Sequence, residues 1–163
     1  MIPFIKRRTA LPACTLANNW LSALLLLLIF LVGLFLAADL GLNGIVTYLL
    51  LWILSYILVY AGACRHCAYY GKRCPVPLEG GLVNKFFRKS NRKFSVNCLG
   101  WAGLAYVLRI IVPLGVILIS QRYLAGSVFL AAFVGFWGVH LLVSGCPHCA
   151  NTECLLNPDC KKG

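Results

Sequence analysis

Apolar residues in this chain come in long unbroken runs, without the alternation of a half-buried strand or the single stripe of a soluble helix. Four such runs, at residues 20–38, 44–63, 99–120 and 123–144, each approach the ~20 residues that cross ~30 Å of hydrocarbon. The polar gaps within each pair, at 39–43 and 120–122, are short, so each pair predicts a tight helical hairpin. The pattern therefore predicts an all-α integral membrane protein, a single membrane domain over 1–163 with four transmembrane helices in two hairpins. Asn18 and Asn19 precede the first run as candidate N-caps, Trp20 suits the membrane interface, and Pro113 predicts a kink in the third span.

Composition agrees. Hydrophobic residues make up 61% of the chain and charged residues 12%, with a mean hydropathy of +0.84. That leaves too little charge to cover a soluble surface. The net charge of +11 would suggest nucleic acid in a soluble protein, but its placement changes the reading. Every Lys and Arg except Arg109 and Arg122 lies at a terminus or in the segment between the second and third spans. By the positive-inside rule both termini and that central segment are expected on the cytoplasmic side of a multi-pass protein.

The central segment breaks at Pro75 and Pro77, and Gly80-Gly81 reads as a flexible joint. Residues 82–95 mix phenylalanines with Lys85, Arg88, Lys89, Arg92 and Lys93. This predicts an interfacial amphipathic helix whose cations bind anionic inner-leaflet headgroups, with no nucleic-acid partner.

The chemistry concentrates in cysteine. Cys64-Arg65-His66-Cys67 follows the second run and Cys146-Pro147-His148-Cys149 follows the fourth, with Cys74 trailing the first quartet and Cys154 and Cys160 the second. Hairpin followed by Cys-x-His-Cys, repeated in one orientation, predicts parallel repeats whose quartets face each other across an axis along the membrane normal. The Cys-rich segments 64–74 and 146–160 would form a cytoplasmic metal-binding lobe. Two cysteines two residues apart present both sulfurs to one ion, and two such turns supply a tetrahedral thiolate set. The quartet at 146–149 resembles a zinc-ribbon knuckle over those four residues. Zinc is the expected cofactor, with Cys64, Cys67, Cys146 and Cys149 as the first ligand set and Cys74, Cys154 and Cys160 as further ligands. The partition between one site and two stays open. His66 and His148 flank the site or serve as alternative ligands.

An iron–sulfur cluster is the main alternative, although these spacings differ from ferredoxin runs. A dithiol redox pair is the third, set against the reducing cytosol in which the charge pattern puts these thiols. Arg109 and His140 stand alone as intramembrane polar residues and hence as functional candidates; for Arg109 the structural alternative is snorkelling to the headgroups. Tyr48, Trp52, Tyr56 and Tyr60 share one helical face and read as packing. No carboxylate lies deep within a span, which disfavours carboxylate-driven transport. The expected role is a membrane anchor or accessory subunit with a protein partner or a second copy. The alternatives are an electron-transfer subunit with a quinone pocket at Arg109 and His140, and a thiol-redox or soft-metal handler.

Overall fold

The computed structural model describes residues 16–76, 78–151 and 154–157. These residues are helical or irregular, with no strand among them. The four long helices are α1 (Leu16–Ala37), α2 (Gly41–Gly62), α4 (Val96–Ser120) and α5 (Tyr123–Val139), with a short α3 (Glu79–Phe86) between the pairs. A 3-10 turn, Ala38–Leu40, joins α1 to α2, and a π-helical turn, His140–Ser144, extends α5.

Three helical stretches are long and apolar enough to cross a membrane: Asn19–His66, Val96–Ser120 and Tyr123–His148. The first contains both α1 and α2 and doubles back at Ala38–Leu40. The Tyr48 hydroxyl lies 3.4 Å from the carbonyl oxygens of Ile29 and of Phe30, and the Phe30 ring sits 5.0 Å from that of Trp52. Their outward faces are apolar. Leu24, Leu31, Leu50, Ile53, Leu118, Leu124 and Val134 are all exposed, a surface that hydrocarbon solvates and water would not.

The hairpins interlock crosswise. α2 packs most extensively on α4 and α1 on α5, so the first helix of each hairpin lies against the second helix of the other. Leu26, Ile29, Leu36, Tyr48, Trp52, Tyr106, Val116, Phe129 and Phe136 form the buried centre. Both hairpin turns are at one end, where Arg122 donates from Nε and Nη2 to the Asp39 carboxylate at 3.1 and 3.2 Å. The chain leaving α2 and the chain leaving α5 therefore both arrive at the opposite end, carrying the cysteine quartets.

The central segment differs from the sequence expectation. The helix expected over 82–95 runs only over Glu79–Phe86, and Phe87 turns to extended backbone. One side of it packs inside the protein, where Val83 is fully buried against Val59, Tyr60 and Cys64, while Phe86 stays exposed. Gly80 is no flexible joint either. A Cβ there would stand 2.6 Å from the Lys72 carbonyl and 2.7 Å from the Cys74 Cβ, so glycine permits α3 to seat against the cysteine loop. Asn18 and Asn19 lie inside α1, and the Asn19 side-chain amide donates to the Cys74 carbonyl at 2.8 Å. Pro113 is buried inside a continuous α4.

Candidate functional site

The two quartets adopt the same local structure for the same reason. Each closes a 3-10 turn, Cys64–His66 and Cys146–His148, at the end of a long helix. The Cys67 amide donates to the Cys64 carbonyl at 3.1 Å, and the Cys149 amide to the Cys146 carbonyl at 3.2 Å. The second cysteine of each quartet then turns to extended backbone. This lets the amide two residues on donate to its sulfur: Tyr69 N–H to Cys67 Sγ and Asn151 N–H to Cys149 Sγ, each at 3.5 Å. Tyr69 and Asn151 occupy the same register in the two halves.

Those two residues also join the quartets. The Asn151 side-chain amide donates to Cys67 Sγ at 3.0 Å, and its Oδ1 accepts from the Ala68 amide at 2.8 Å. In return the Tyr69 hydroxyl donates to the His148 carbonyl at 2.8 Å. Asn157 braces Asn151 from behind, donating to its carbonyl at 2.8 Å and to that of Cys149 at 3.0 Å.

Cys64, Cys67, Cys74, Cys146, Cys149 and Cys154 all line one cavity of about 140 Å³, which Glu79 and His140 also reach. Cys64, Cys67, Cys146 and Cys149 are free thiols. Cys160, the remaining expected ligand, lies outside the described residues. Among the described residues, no group of three or more His, Cys, Asp or Glu side chains is placed to hold a metal ion. The thiols share walls without converging on one point. Burial pushes the Cys149 thiol up to about 11, and it raises Cys67 despite the donors on its sulfur. Without a cation such thiols stay protonated at neutral pH and are weak nucleophiles. The same burial raises the Tyr69 phenol, which keeps it a donor.

The histidines divide. His66 turns away from the sulfurs: its Nδ1 is 3.2 Å from the Arg92 carbonyl and its Nε2 accepts from Arg65 Nε at 3.2 Å. His148 contributes its backbone carbonyl to the junction. His140 begins the π-helical turn, a feature that recurs at functional sites, and stacks on Phe136 with centroids 6.1 Å apart. Its Nδ1 is buried without a partner among the described residues.

Below the cavity lies a buried polar centre. Arg109 is 1% exposed, which excludes the snorkelling alternative. Its guanidinium carbon sits 4.6 Å from the Tyr56 ring centroid, 4.8 Å from Tyr106 and 5.2 Å from Trp52, a three-sided aromatic cage. Nε donates to Ser55 Oγ at 2.8 Å, and Nη2 to Glu79 Oε1 at 3.4 Å. Glu79 is thus a carboxylate from the loop segment that is drawn into the bundle. Burial pushes its carboxyl up from the ordinary range, and the guanidinium beside it pulls the other way. The aromatic face of α2, expected as packing alone, supplies two walls of the cage.

Glu79, Ser55, Tyr69 and Asn151 escaped the sequence reading. Repeat register alone would have found Tyr69 and Asn151, each two residues past a quartet. Glu79 carried a weaker signal, as the one acidic residue in a segment dense in Lys and Arg. Of the expected headgroup cations, Lys85, Arg88, Lys89, Arg92 and Lys93 are all exposed, only Lys85 lying on α3. No family model matches this chain, and no curated protein or solved structure matches it.

Proposed function

We propose that this is a multi-pass membrane protein whose paired Cys-x-His-Cys turns bind zinc, and that the metal lobe staples two parallel-repeat hairpins into a membrane anchor or accessory subunit. The observation that carries the reading is the junction at Asn151. One side chain from the second half donates to the Cys67 sulfur of the first half, and its own amide donates to the Cys149 sulfur. Peptide and amide N–H donors aimed at sulfur stabilise thiolate and orient metal ligands. Cys67 and Cys149, with Cys64 and Cys146, form the ligand set, and Cys74, Cys154 and Cys160 are further donors. Zinc supplies the charge that lets buried thiols lose their protons, and draws their sulfurs toward one point. The charge distribution supports a cytoplasmic position for the lobe and both termini, and in this reading a protein partner or a second copy completes the assembly.

Metal content and an absorption spectrum of anaerobically purified protein in detergent test this. Stoichiometric zinc with no visible absorbance is expected. Iron with acid-labile sulfide and a broad visible band replaces this reading with an electron-transfer subunit. Zinc that leaves readily to a mild chelator replaces it with a soft-metal carrier.

A further inference from the structure

Beside the thiol cavity, where the first quartet meets the start of α4, a separate cleft of about 260 Å³ opens to solvent. Arg65, His66, Arg92, Lys93, Ser95 and Trp101 line it. A second hollow of about 280 Å³ adjoins it, sharing His66, Arg92 and Lys93 and adding Lys89. No carboxylate lines either hollow among the described residues. Asp39 pairs with Arg122 at the opposite end of the bundle and Glu79 with Arg109 inside it, so neither of these two carboxylates is at Arg65 or Arg92.

The cations are arranged by the backbone. Among the described residues Arg65 donates from Nε alone, to His66, which leaves the outer nitrogens of its guanidinium for another acceptor. The Ser90 amide donates to the Arg65 carbonyl at 3.0 Å, and the His66 ring meets the Arg92 carbonyl. These contacts hold the loop carrying Arg92 and Lys93 against the quartet. The opposite wall is apolar and interfacial. Trp101 is half-exposed and packs over Gly62, where any Cβ would collide with the indole. The cleft therefore brings Arg65 and Arg92 to the same hollow as Trp101. Ser95 and the first turn of α4 add neutral donors on the same side.

We propose that this cleft binds a phosphate-bearing anion, held bidentately by Arg65 and Arg92, with the phosphodiester of an anionic phospholipid as the form its position fits best. Planar guanidinium groups match phosphate oxygens in pairs, and Trp101 packs against the glycerol region of a lipid at that depth. The site adjoins the proposed metal centre: Arg65 stands between two of the proposed ligands, and Cys67 and Asn151 line the second hollow.

The test uses the whole protein, purified in mixed micelles of phosphatidylglycerol and phosphatidylcholine, with retained lipid counted by native mass spectrometry. Phosphatidylglycerol is expected to be retained in preference to phosphatidylcholine, and Arg92→Gln to lower that preference about tenfold, the order of one bidentate contact. Arg65→Gln is expected to do the same. Lys85→Gln with Arg88→Gln removes two exposed cations that line neither hollow, and is expected to leave the preference intact. Zinc content and melting temperature of each variant separate loss of the anion site from loss of the lobe. Arg92 is exposed, so its variant decides the matter if Arg65→Gln fails to fold. Displacement of the lipid by excess inorganic phosphate assigns recognition to the phosphate. Protection by inorganic phosphate with no retained lipid assigns the site to a soluble phosphate compound. Equal losses in Arg92→Gln and in the Lys85/Arg88 pair would falsify the site and leave only diffuse charge; so would retention without preference together with no effect of phosphate.

Discussion

The two ends of this bundle face opposite demands. At one end each hairpin turns within a few residues, and the only ion pair there among the described residues, Arg122 with Asp39, has its guanidinium 54% exposed. At the other end a long segment folds back onto the helices, six thiols line a cavity and Glu79 is drawn inside to meet Arg109. Both ends hold an Arg–carboxylate contact, yet the two contacts do different physical work. Water screens the first, so it contributes little. The second is desolvated, so each partner depends on the other being present. Chain closure needs only the first kind of end; a functional site needs the second.

The comparison can be broken at graded points. The largest effect is expected from Cys67→Ser with Cys149→Ser, because structural zinc sites contribute about 10–16 kcal/mol of apparent binding energy that is also folding energy. Metal analysis should show loss of bound ion, and the melting temperature in detergent should fall further than for any other variant. If both stay unchanged, the cysteine end is as passive as the turn end.

Arg109→Met comes next. It leaves Glu79 buried and unpaired, at a cost of about 3–5 kcal/mol, read by chemical denaturation in micelles. Combining it with Glu79→Gln should recover part of that loss; strict additivity of the two single variants would show that the pair is not coupled.

Asn151→Ala removes the side-chain donor to Cys67 and the acceptor for Ala68. A loss of about 1–3 kcal/mol is expected from stranding buried groups. Zinc affinity should fall with it, measured by competition with a chromophoric chelator. Asp39→Asn should sit at the bottom, within about 1 kcal/mol of the parent. A loss at Asp39 that matches the one at Arg109 would erase the distinction between the ends.

The helices and the hairpins were legible because membrane-spanning runs are long and their composition is one-sided. The pairing of the quartets at one end was legible from parity: an even number of crossings returns the chain to the same side. The segment between the hairpins was not. Its amphipathic pattern was read against a bilayer, but the face of α3 is satisfied by Val59, Tyr60 and Cys64 within the protein. Glu79 was passed over for a related reason. Position in a loop predicts solvent, whereas a buried guanidinium some thirty residues later in the chain offered it a better partner. Arg109 was singled out from its depth alone, but the cage around it needed α2 and α4 to be neighbours, which no local pattern encodes.

The crosswise seating of the hairpins bears on how the protein is made. Helices that emerge from the ribosome together are not each other's main neighbours, so the first hairpin is made ahead of the surfaces it will rest on. Until α4 follows, Ser55 lacks its guanidinium and Glu79 has no counter-ion. A nascent chain halted before residue 109 therefore carries Glu79 without the partner that it meets in the finished bundle. Completion of the second half supplies that partner, so the buried pair forms only after about two-thirds of the chain is made.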